Sequence, residues 1–81
     1  MADAPLPFEL FHELADPKSA RVRRYVTEHG LKPQVAFRNV TYPEALAALK
    51  AHGGETVPAL WDGVTLFSGA DAILARLARA R

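Results

Sequence analysis

Val57-Pro58-Ala59-Leu60-Trp61-Asp62-Gly63-Val64-Thr65-Leu66-Phe67 holds two short apolar runs on either side of an Asp-Gly pair. Asp-Gly between apolar runs is a strong hairpin signal, because both residues tolerate the positive φ of a tight turn. Val57 to Trp61 and Val64 to Phe67 are therefore expected as two antiparallel strands. Pro58 stands out, since a residue without an N–H weakens a ladder unless it shapes a special turn. It is expected to shape the fold whether or not a ligand binds. Ser68-Gly69-Ala70-Asp71 follows and opens a helix whose apolar stripe is Ile73, Leu74, Leu77 and Ala78. The Ser68–Asp71 spacing also fits a capping box, in which Asp71 would do no more than cap this helix. Arg76, Arg79 and Arg81 lie toward its C-terminal end, where cations suit the helix dipole.

Upstream, Phe8 to His12 reads as a first strand. Asp16-Pro17 is a helix start, with Asp able to cap and Pro preorganised for the first helical position. Val22, Tyr25, Val26 and His29 then recur at helical spacing, Arg21, Arg23, Arg24 and Glu28 fill the solvated positions, and Gly30 stops the helix. Gln34 to Val40 alternates as a second strand, with Val35 and Phe37 on one side. Thr41 to Glu44 has capping-box spacing and opens a second helix that ends at Gly53-Gly54. The order is β-α-β, α, β-β-α. A parallel βαβ unit followed by a hairpin gives a mixed four-stranded sheet with helices on both faces.

The 81 residues allow one small domain, with residues 1–7 as a flexible leader and 8–81 as the folded unit. Hydrophobic residues at 49% and charged residues at 23% place the chain among ordinary globular proteins rather than disordered ones. A net charge of +1 points to no nucleic acid. The apolar stretches fall short of a membrane span and residues 1–7 do not resemble a signal peptide, so the cytoplasm is the expected location. His12, His29 and His52 are scattered over three elements, and no metal site is expected. Trp61 reads as partly buried core or an interface anchor.

The element order is that of the thioredoxin fold, and three segments resemble glutaredoxins and the N-terminal domain of glutathione transferases. Gly54-Glu55-Thr56-Val57-Pro58-Ala59-Leu60 carries the Thr-Val-Pro of glutaredoxins and, with Asp62-Gly63, the Val-Pro-Ala-Leu of many transferases. Phe67-Ser68-Gly69-Ala70-Asp71-Ala72-Ile73 is similar to the glutaredoxin Gly-Gly-x-Asp-Asp segment. Asp16-Pro17-Lys18-Ser19-Ala20-Arg21-Val22 lies where glutaredoxins place Cys-Pro-Tyr-Cys. The likeness runs from about Phe8 to Leu77. It implies a glutaredoxin-type α/β fold, a cis Pro58, and a glutathione groove. In that groove the Val57 backbone would pair with the cysteinyl part of glutathione. The amides of Gly69, Ala70 and Asp71 would take the γ-glutamyl carboxylate, and Asp71 would meet its ammonium. Lys18 and Ser19 would complete the candidate site.

The chain has no cysteine. The two positions where the resemblance puts the reactive thiols are Asp16 and Ser19, so neither dithiol nor monothiol exchange is available. Other departures fall nearby. Glu13 stands where glutaredoxins often carry a Lys, the second family Asp is Ala72, and the transferase Glu-Ser pair falls on Gly69-Ala70. The expected role is a redox-inactive module that binds a protein, or glutathione or a peptide weakly. One rival is a glutathione-dependent enzyme using Ser19 in place of Cys. The other is a structural or assembly domain without a small ligand. In transferases a second, helical domain covers this one. The equivalent α1/α3 face, with Tyr25, Leu74 and Leu77, is therefore expected to present an apolar patch to a homodimer mate or protein partner.

Overall fold

In the computed structural model of the chain, residues 6–80 are described. Met1 to Pro5 of the expected leader, and Arg81, lie outside the described residues. The elements are β1 (Phe8–His12), α1 (Pro17–Glu28), a 3₁₀ turn (Lys32–Gln34), β2 (Val35–Asn39), α2 (Pro43–Ala51), β3 (Ala59–Trp61), β4 (Leu66–Ser68) and α3 (Ala70–Ala78). The four strands form one sheet in the order β2-β1-β3-β4. β1 pairs parallel with β2, and β3 pairs antiparallel with β1 and β4. The fold is thus the mixed thioredoxin-like sheet that the βαβ unit and the hairpin imply.

Alternation along β1 and β3 sends side chains to opposite faces of the sheet. Leu10 and Leu60, paired across the two strands, join Phe8, Val22, Val26, Val35, Ile73 and Leu77 in a core beneath α1 and α3. Phe11 and Ala59, the next pair, meet Leu49 of α2 on the other face. His52, the C-cap of α2, stacks on Trp61 with ring centroids 3.9 Å apart and planes 12° from parallel, so the half-buried Trp61 is held within the chain.

Three local expectations are corrected. The Thr41–Glu44 box does not form: Pro43 occupies the first turn, Tyr42 is the N-cap without a side-chain bond, and the Thr41 N–H is donated to Asn39 Oδ1 at 2.9 Å. The Ser68–Asp71 box does not form either, because Ser68 ends β4 and Gly69 is the N-cap of α3 with no side-chain cap. The strands of the hairpin are shorter than expected. Val64 is 82% exposed, and the turn widens to Asp62–Thr65. There Asp62 Oδ1 accepts the N–H groups of Val64 and Thr65 at 2.9 and 2.7 Å, while Oδ2 accepts from Arg76 Nε at 3.1 Å. These donors, the Thr65 N–H first, hold the Asp62 carboxyl below its ordinary value. Arg76, expected to serve the helix dipole, thus ties α3 to the hairpin and lies 5.0 Å over the Phe8 ring.

Candidate functional site

The start of α1 is built by Asp16 and Ser19. Asp16 is the N-cap with Pro17 in the first turn. Its Oδ2 accepts both the Ser19 N–H and the Ser19 hydroxyl, each at 2.8 Å. Ser19 Oγ in turn accepts the Glu13 N–H at 3.2 Å. The Ser19 hydroxyl holds the Asp16 carboxyl below the usual carboxylate range, with the Ser19 amide adding to it. Ser19 is fully buried, with its proton committed to a carboxylate three residues back. Asp16 and Ser19, where the resemblance puts the reactive thiols, thus form a closed structural cap.

A test of this cap is its removal. Asp16→Ala leaves the buried Ser19 hydroxyl and the Ser19 amide without their acceptor and is expected to lower the denaturant midpoint. The sign with pH follows from the depressed carboxyl. Its contribution is complete above the unfolded carboxylate value and is lost as pH falls toward the lower folded value. Denaturant midpoints of wild type and variant should therefore converge in acid.

Beside the start of α1, the start of α3 forms a cleft of about 470 Å³ lined by Lys18, Arg21, Ser68, Gly69, Ala70, Asp71 and Ala72. The first backbone bond inside α3 runs from the Ile73 N–H to the Gly69 carbonyl. The amides of the first turn, which precede that bond, have no intrahelical acceptor. Gly69 sits at φ +91° and ψ 146°, and its N–H is donated to the Pro58 carbonyl at 3.1 Å. That bond ties the Pro58 segment to Gly69, which lines the cleft. The Val57–Pro58 peptide bond is cis.

Of the residues read from the sequence, Lys18, Gly69, Ala70 and Asp71 meet in this cleft, but the expectation of three free amides is corrected: the Gly69 N–H is taken by the Pro58 carbonyl, which leaves those of Ala70 and Asp71. Pro58 is buried and does not line it, and Val57 is half-buried against the α2 side of the sheet. Arg21 is the residue that sequence reasoning missed. It reaches 3.1 Å from Asp71 Oδ1, and with the two side chains 59% and 92% exposed the pair is solvent-screened and weak. Its spacing from Lys18, one helical turn, could have placed both cations on one face of α1. The meeting with α3 was not visible in the chain.

The expected α1/α3 patch is corrected in part. Leu77 has no exposed surface and belongs to the core, while Tyr25 and Leu74 are half-buried against that core. Tyr25 also lies against the His29 ring at 4.1 Å. The side chains that α1 and α3 expose here include Lys18, Arg21, Arg24, Ala72 and Ala75. Among the described residues there is no group of three or more His, Asp or Glu side chains placed to hold a metal ion. No helix among them is long and apolar enough to cross a membrane.

The sequence profile of the family described as "Glutathione S-transferase, N-terminal domain" matches residues 10–81. Among solved structures, the chain is similar to a buckwheat glutaredoxin in complex with glutathione, at a TM-score of 0.67 and 18% identity. That alignment covers 91% of this chain and 70% of the other. Wheat glutaredoxin aligns at a TM-score of 0.62 and 20% identity, over 94% of this chain and 73% of the other. No curated protein sequence matches the chain.

Proposed function

The chain belongs to the glutathione S-transferase N-terminal domain family, and on that footing we propose that it is a redox-inactive binding module. Its ligand is glutathione or a similar peptide, held weakly through a carboxylate. The observation that carries this reading is the cleft at the start of α3. The first-turn amides of Ala70 and Asp71, which have no intrahelical acceptor, lie there beside Lys18 and Arg21, the latter shared with the Asp71 carboxylate, and donors and cations of this kind favour an anion.

The absence of cysteine removes the sulfur nucleophile of thiol exchange. Buried Ser19, with its proton given to Asp16, argues against the rival in which Ser19 replaces the thiol. A serine nucleophile needs a base within reach and an open path to substrate. Asp16 adds a negative charge where a bound thiolate would lie, which favours weak binding over tight.

A titration of ¹⁵N-labelled protein with reduced glutathione tests the reading. Saturable amide shifts at millimolar ligand are expected at Lys18, Gly69, Ala70 and Asp71, and Lys18→Glu is expected to weaken them several-fold. No shifts at millimolar ligand, or shifts confined to another face, would leave the assembly reading in its place.

A further inference from the structure

His12 closes β1 in a place the cleft does not use. It is only 5% exposed. Its Nδ1 lies 3.1 Å from Arg23 Nη1 of α1. Guanidinium has donors and no acceptor, so Nδ1 must be the unprotonated nitrogen and the imidazole neutral. The same guanidinium donates from Nη1 to the Glu13 carbonyl at 3.1 Å and from Nη2 to the Leu14 carbonyl at 3.3 Å. One side chain therefore holds the end of a strand and the loop that leaves it. That loop leads into the Asp16 cap and the first turn of α1, which presents Lys18 to the cleft.

We propose that His12 and Arg23 form a pH-sensitive latch on the β1–α1 loop, closed while His12 is neutral and opened when His12 takes up a proton. Protonation fills the acceptor at Nδ1 and sets two cations 3.1 Å apart. Arg23 then swings toward water and its bonds to the Glu13 and Leu14 carbonyls are lost.

The surroundings supply no anion to keep the charged form in place. From β2 the imidazole meets the Phe37 ring edge-on at 5.7 Å, and its register partner is the neutral Asn39. Val57, Pro58, Ala59 and Leu60 on the β3 side carry no charge. Glu9 and Arg38 bind one another at 2.7 Å, and Arg38 lies over Phe11, on the opposite face of the sheet. Within the loop, Glu13 points to solvent and the Asp16 carboxylate is bound to Ser19. Burial first, and the Arg23 charge second, lower the His12 titration below its ordinary 6.5. The linkage has one sign. The unfolded chain binds the proton more readily, so stability falls as pH drops below about 6.5 toward the folded value.

The proposal does not depend on the ligand of the cleft, and it is tested without one. In a pH titration of ¹³C,¹⁵N-labelled protein, the His12 ring should show the Nε2–H tautomer at neutral pH and a single midpoint below 6.5. The amides of Glu13, Leu14 and Ala15 and the Arg23 guanidinium should move with that same midpoint, while core methyl groups stay in place. In Arg23→Gln the His12 midpoint should rise and the loop shifts should vanish. An Nδ1–H tautomer at neutral pH, His12 titrating with the loop still, or loop shifts that persist in Arg23→Gln would each overturn the latch.

Discussion

Leu77→Ala is expected to lower the unfolding free energy by about 2–5 kcal/mol, read from the denaturant midpoint at unchanged m-value. Leu77 lies in the core beneath α3 with no exposed surface. Removing three carbons from such a site forfeits their transfer energy and leaves a cavity. A Leu on a docking face would cost far less in the isolated chain, within about 0.5 kcal/mol for an ordinary surface position. The size of the effect thus separates a core residue from an interface residue. In a domain whose whole stability is about 5–15 kcal/mol, the variant should also lose part of its folded population on moderate warming. A loss under about 0.5 kcal/mol would return Leu77 to the surface.

Gly69→Ala should produce the second largest effect, about 1–3 kcal/mol. Gly69 adopts φ +91°, where a side chain is strained and glycine is not. The space around it is open, and a Cβ there meets nothing within 4 Å. The loss is therefore conformational, with no clash to add to it. Relief of that strain would rotate the Gly69 N–H away from the Pro58 carbonyl, which it now bonds at 3.1 Å. The amide shifts expected with glutathione should weaken in the same variant. Gly30→Ala, at φ +66° and also with open space around it, is the natural control. It should lose stability without touching the cleft, because it ends α1 at the far side of the domain.

The fold was legible where a signal was local and strong. Asp16-Pro17 starts α1 at the residue read from the chain, and β1 spans Phe8–His12 as expected. The two failed capping boxes show the limit of spacing alone. A Thr or Ser three residues before an acid competes with the chain around it, and at Thr41 a proline two residues later moved the helix start. At Ser68, pairing in β4 opposite Ala59 left Gly69 to begin the helix. The candidate site was legible for the residues close in sequence, Gly69 to Asp71. It was not legible for Arg21 and Asp71, fifty residues apart, or for His12 and Arg23, whose meeting depends on how α1 lies across the sheet. Leu77 was misjudged for the same reason, since an apolar stripe shows that a face is covered and leaves open by what.

The sheet divides the apolar interior into two unequal halves. Among the described residues, ten buried ones fill the side beneath α1 and α3, while Phe11, Leu49 and Ala59 are the buried members of the cluster under α2. Local opening costs least where the least apolar surface must be exposed. α2 is consequently expected to detach first, at a free energy below that of global unfolding, which native-state hydrogen exchange of its amides would read. Its amides should then exchange through a partly unfolded form in which the sheet, α1 and α3 remain assembled, so that one small domain would carry a firm half and a labile one.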